Sequence, residues 1–268
     1  MSLNIVAQKV DFKVRIISLP PEVSYYDNQF SGLYIKDKNL FLMSESRLQD
    51  GAEAKLYSIK LADIEKQLSD SNYILPFTKW KIYNLNILRS KMKDNGDDYE
   101  GLEAMIIDKN KIYFSVETAT PSNNCYLLKG IINDTAIVLD KNRFVTLAKP
   151  TEANGKHIYN AGFEAIAHSE KALLAFFEYN YFDGNNVVNN VVKKSFSLKG
   201  DKSFTMQKLP FRLTDITTIR RHTFTAVNYF YNGGGEDKIY RVPKTDTINN
   251  RLISDSGIYK SYTRLVSI

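Results

Sequence analysis

One module recurs four times along this 268-residue chain. Each copy is a small-residue turn, an apolar strand, a tight turn, and a second apolar strand ending in an acid or amide. The copies occupy residues 30–45 (FSGLYIKDKNLFLMSE), 99–117 (YEGLEAMIIDKNKIYFSVE), 163–178 (FEAIAHSEKALLAFFE) and 213–228 (LTDITTIRRHTFTAVN). Self-similarity at a period of roughly 50–70 residues marks a repeat architecture, and strand-type units make it a β-propeller. The consequence is positional. Equivalent residues of every blade surround one central funnel, so carboxylates scattered in sequence become a ring.

Later strands in each module are legible as well. Short β-rich stretches begin at Lys55, Trp80, Cys125, Ala136, Val191, Phe204, Lys238 and Arg251. Four strands per module is the blade count of a propeller. Asp37-Lys-Asn and Asp108-Lys-Asn-Lys sit between the first two strands of their modules, as hairpin punctuation does. The one helical pattern runs from Leu61 to Leu68, with apolar residues at i, i+3 and i+7. No linker or low-complexity segment divides the chain, which predicts a single domain over residues 1–268. Length favours five blades. Residues 11–19 read as an orphan strand that would pair with the C-terminal part and hide a sheet edge. Residues 262–268 stand where a fifth inner strand would begin.

Composition narrows the class. Hydrophobic residues make up 43% of the chain, with 17 Tyr and 15 Phe, enough for a large β-rich core. The net charge of +6 comes from scattered lysines rather than a block, so no nucleic-acid tail is expected. Cys125 is the only cysteine, so no intramolecular disulfide can form. No apolar run is long enough to span a bilayer, and no signal peptide is visible. A monomer is expected.

The repeated positions carry the chemistry. A hairpin returns the chain to its starting end, so residues opening the first strand and closing the second lie together. That pairs Ser31 with Glu45, Glu100 with Glu117, Glu164 with Glu178, and Thr214 or Asp215 with Asn228. All would cluster at one mouth of the channel. Packed carboxylates repel unless protonated or bound to a cation, and oxygen ligands of this kind suit Ca²⁺ or Mg²⁺ better than zinc. Glu100 and Glu164, beside a glycine or alanine where backbone approaches closely, are the candidate metal ligands. Glu45, Arg47, Glu117, Glu178 and Asn228 are candidate ligand contacts; the alternative for the glutamates is that each caps a strand end. His157, His168 and His222 share no metal-ligand spacing and read as structural. No nucleophile elbow, H-E-x-x-H, C-x-x-C or P-loop is present.

The Ser31-Gly-Leu, Glu100-Gly-Leu and Phe163-Glu-Ala-Ile openings, each followed by a strand ending near Glu, resemble the "SGLA…VSDE" and "EGLA…E" pattern of phytase-like esterase propellers. They are also similar to the SdiA-regulated (YjiK-like) propellers. The resemblance implies a multi-bladed propeller, often of six blades, exported to the periplasm or the extracellular space. It also implies a divalent cation at the mouth, calcium favoured, with Glu100 as the matched position. The sequence departs from the pattern at Ala165 and at Thr214-Asp215. Two functions follow: a propeller binding a small-molecule, glycan or protein ligand at its acidic mouth, or a metal-dependent phosphoester or carboxylic-ester hydrolase.

Overall fold

Each repeated module folds as an antiparallel hairpin because its apolar residues suit a pleated surface, and in the first two modules the turn residues Asp37, Lys38 and Lys109 take left-handed backbone. The computed structural model describes residues 14–48, 52–134, 136–181, 187–220, 223–233 and 237–268. The protein is an all-β propeller, and the described residues build four blades.

Blade one contains β1 (Phe30–Lys36), β2 (Asn39–Ser44), β3 (Lys55–Lys60) and β4 (Thr78–Tyr83), with α1 (Leu61–Ser69) between the last two. Its first hairpin turns at Asp37 and Lys38, both at positive φ, the geometry that matches strand twist. After α2 (Leu85–Asp94), blade two follows with β5 (Tyr99–Asp108), β6 (Lys111–Thr118), β7 (Asn124–Ile132) and β8 (Ala136–Ala148). Blade three has β9 (Ala165–Ser169), β10 (Ala172–Phe176), β11 (Val187–Val192) and β12 (Ser197–Thr205). Blade four opens with β13 (Arg212–Arg220) and β14 (Thr223–Phe230). The chain then passes through α3 (Asp237–Tyr240), α4 (Thr247–Ile253) and the small hairpin β15 (Ser254–Asp255) and β16 (Ile258–Tyr259). It returns as β17 (Tyr262–Ser267), which pairs with β14.

The inner strands meet in chain order, β1 against β5, β5 against β9 and β9 against β13. Blades one and two are also joined at the rim, where β4 pairs in parallel with β8. The core is divided between neighbouring blades. Met43, Leu56, Phe114 and Leu128 pack between blades one and two. Tyr113, Leu127, Phe163 and Leu173 pack between two and three, and Ala165, Phe176, Leu213 and Phe224 between three and four. Among the described residues no helix is long and apolar enough to cross a membrane.

Three inner strands carry the same irregularity. Register shifts leave Ser31, Glu100 and Thr214 unpaired against β2, β6 and β14 respectively. These are the equivalent positions of the repeat, so the bulge is part of the module. A bulge kinks the strand and re-aims its side chains.

Several sequence expectations are corrected. Residues 14–19 form no strand: Gln67 of α1 exchanges two hydrogen bonds with Ser18, each 2.9 Å, and Leu19 packs on the outer face of blade one. Residues 11–13 lie outside the described residues. The edges that segment was expected to hide are covered otherwise, by the β4–β8 pairing and by β17 on β14. Residues 262–268 thus supply the third strand of blade four instead of opening a fifth blade; the fifth and sixth blades expected from length and resemblance are not among the described residues. The stretches at Lys238 and Arg251 are helical, since apolar runs this short do not distinguish strand from helix. The stretch starting at Val191 is the end of β11, a turn through Phe196 at positive φ, and the start of β12.

Candidate functional site

The mouth of the channel is built from the strand ends that the hairpin rule brings together. Glu103 on β5, Glu117 on β6 and Glu164 just before β9 each present a carboxylate oxygen, all within 4.8 Å of one another. Glu103 and Glu117 are buried, and Glu103 Oε1 and Glu117 Oε1 are out of solvent without a hydrogen-bond partner. Buried polar atoms in folded proteins are nearly always satisfied, so two unpaired carboxylate oxygens in one cluster mark a place shaped for something else.

Around this trio stand further charges. Glu178 is fully buried; its Oε1 accepts from the Gly162 amide at 3.0 Å. Its Oε2 lies 2.8 Å from Arg212 Nε, an ion pair whose N–H is not aimed along the contact, so neither atom completes a hydrogen bond. Arg212 also donates to Asn160 O at 3.2 Å and lies 4.5 Å from the centre of the Tyr240 ring. Lys149 is buried and donates to Thr118 O. At the rim, Arg47 donates to Glu45 Oε1 at 2.8 Å.

The electrostatics follow from burial and crowding. Glu103 is held well above the usual carboxylate range, first by burial and then by Glu117 and Glu164. Glu117 is pushed up to about 8 by burial and Glu178, with Lys149 opposing. Glu164 is pushed up to about 7 by burial, with Arg212 opposing and Glu117 adding to the rise. Glu178 is also raised, by burial and then Glu164. Arg212 loses some of its preference for charge to burial, but Glu178 and Glu164 more than restore it.

Of the sequence candidates, the structure brings Glu45, Arg47, Glu117, Glu164 and Glu178 to this one region. Glu100 sits at the bulge that opens β5, and its charge reaches Glu117 and Arg47, but it is not in the trio. Glu103 takes that place. It too is left unpaired by a register shift, between Leu102 and Ala104, which is why simple alternation misplaces it. The visible signal was a lone charge inside an apolar strand, EGLEAMIID. Asn228 is buried and fully engaged: Nδ2 donates to Pro210 O and Arg212 O, and Oδ1 accepts from Arg264 Nε. It braces the Arg212 backbone and offers no free donor. His157 contacts Asn123 Oδ1 at 3.0 Å, His168 lies on β9 away from the trio, and His222 lies outside the described residues.

The donor set suits a hard cation. Three carboxylate oxygens this close together can share one ion, and oxygen ligands of this kind are those that Ca²⁺ and Mg²⁺ take.

No family model and no curated protein matches the chain. Among solved structures it is similar to a bifunctional GH43-CE protein of Bacteroides eggerthii, at 6% identity and TM-score 0.43 over 76% of this chain and 24% of that one. It is similar to a glucose dehydrogenase at 8% identity and TM-score 0.39, over 78% of this chain and 58% of that one. A third is CoXyl43, a GH43 β-xylosidase/α-arabinofuranosidase from a compost microbial metagenome, in complex with xylotriose and calcium-free, at 7% identity and TM-score 0.38, over 73% and 68%. The chain thus spans a minor part of the first and little over half of the second. With TM-scores below 0.5 these likenesses assign neither family nor activity; the propeller stands on strand order and inner-strand contacts.

Proposed function

We propose that this propeller holds a divalent cation, calcium by preference, between Glu103, Glu117 and Glu164, and takes a small-molecule, glycan or protein ligand at the same mouth. The carrying observation is the trio itself, three oxygens within 4.8 Å with Glu103 Oε1 and Glu117 Oε1 buried and unpartnered. Arg47 and Glu45 at the rim would contact the ligand. Arg212 keeps Glu178 in place beside the cation site. Export belongs to this proposal and rests on the motif resemblance; a monomeric state belongs to it as well.

The test is calcium titration by calorimetry and by melting temperature. A ligand bound only by the folded state raises its stability, so millimolar Ca²⁺ should raise Tm, with Mg²⁺ acting more weakly. Glu103→Gln should remove most of the response. No calcium response in the wild-type protein overturns the cation reading.

A metal-dependent esterase or phosphoesterase is the second reading, favoured by one observation: Glu117 and Glu164 are poised at about 8 and 7. These values hold without a cation; a carboxyl of the pair left uncoordinated when the ion is bound could exchange protons near neutral pH, whereas one that ligates the ion is held ionised. A bound cation would polarise a substrate oxygen or acidify a water. Turnover of general ester or phosphoester substrates that disappears in Glu117→Gln supports it; absence of turnover with calcium bound leaves the binding function.

A further inference from the structure

Farther along the same inner strands, beyond the acidic mouth, the channel opens into a cavity of about 490 Å³ lined by β1, β5, β9 and β13. This is a typical small-molecule pocket size. Its walls are mostly apolar. Leu33 and Ile35 of β1 face it while 53% and 62% exposed, a large uncovered apolar surface for strands that line a propeller axis. Met105 and Ile166 add to the same wall.

One carboxylate lines this cavity, Asp215 of β13. Its Oδ1 accepts from the amide of its neighbour Ile216 at 2.7 Å. Among the described residues no ion pair reaches it. The ammonium of Lys193, beside the cavity, is engaged elsewhere, 3.4 Å from His168 Nδ1 and 3.5 Å from Asp108. His168, which also lines the cavity, is made harder to protonate by burial and by Lys193. Burial raises the Asp215 carboxyl, and no cation acts to lower it. Asp215 is only half-buried, but a carboxylate beside an apolar wall without a counter-charge is still disfavoured, and a cationic ligand would relieve that.

We propose that this cavity is a second binding site, for an amphipathic organic cation whose protonated amine pairs with Asp215 and whose hydrocarbon lies against Leu33, Ile35, Met105 and Ile166. Charge selects the ligand and the apolar wall supplies contact area. The site is independent of the proposed cation at the mouth, since no residue is shared.

The test uses octylammonium, octanol and octanoate as probes, by titration calorimetry in the presence of a chelator. Octylammonium should bind more tightly than octanol by about tenfold or more, and octanoate should not bind. Asp215→Asn should bring octylammonium down to the octanol level and leave octanol unchanged. Ile35→Trp, which fills the cavity from an exposed position, should abolish both and keeps the site testable if Asp215→Asn fails to fold. Equal binding of the three probes, no binding of octylammonium, or an Asp215→Asn variant that retains the preference for octylammonium would overturn the proposal. None of these outcomes bears on calcium at the mouth.

Discussion

Gly101 lies directly against the side chain of Glu45: a Cβ on the glycine would sit 2.5 Å from Glu45 Cγ and 3.0 Å from Glu103 Oε1. The next residue, Leu102, donates its amide to Glu45 O at 2.8 Å. So the glutamate closing the first hairpin of blade one packs on the glycine opening the inner strand of blade two. One blade on, a different glycine takes a comparable contact: Gly162, which precedes the third module, would bring a Cβ to 3.1 Å from Glu117 Cδ. A glycine at the entry to blades two and three is therefore a blade-to-blade contact against the preceding blade's glutamate.

Gly101→Ala should destabilise the protein by about 1–3 kcal/mol, the usual cost of overpacking. A urea melt measures it. In a Glu45→Ala background the penalty should shrink, because the clashing partner is gone. An unchanged penalty would show that the contact is not its source.

Arg212→Met should cost about 3–5 kcal/mol at neutral pH, since it leaves Glu178 buried without its cation. The loss should be smaller in mild acid, where Glu178 can take a proton. Denaturant midpoints at two pH values separate this from simple packing loss, which would be pH-independent.

The raised carboxyls fix the sign of a pH dependence. In the unfolded chain a glutamate titrates at about 4.3, whereas Glu117 and Glu164 are folded-state acids at about 8 and 7. Between those limits the folded protein binds more protons than the unfolded one, so stability falls as pH rises. Glu53 and Asp246 are lowered by lysine and by Asn249 contacts, respectively, so their contribution is lost only in acid, as pH falls through their depressed values. We expect Tm in chelator to drop from about pH 5.5 to about pH 8.5, with a shallower slope in Glu117→Gln and in saturating calcium. A flat or rising profile would contradict the clustering.

Much of this was readable before the structure. The recurring hairpin placed Glu45, Glu117, Glu164 and Glu178 at one mouth because returning chains put strand ends together, and that holds whatever the side-chain detail. Glu103 was missed because a bulge breaks the two-residue alternation on which any face assignment depends. Helix α2 was missed although Leu85, Leu88 and Met92 fall at helical spacing, and all three are buried; the pattern sits among Asn, Ser and Lys that dilute it. The fate of both chain termini was illegible for a different reason. Strand pairing at a sheet edge is a contest between distant segments, and β8 and β17 take the edges that local sequence had assigned to residues 11–19.

The most direct measurement is a crystal structure of calcium- or terbium-soaked protein with anomalous scattering recorded. We expect one strong peak bonded to carboxylate oxygens of Glu103, Glu117 and Glu164, at about 2.3–2.6 Å for calcium, and no such peak in Glu103→Gln. A protein that takes up no ion there, or binds one only at surface carboxylates while the trio stays protonated, would contradict the cation-holding mouth.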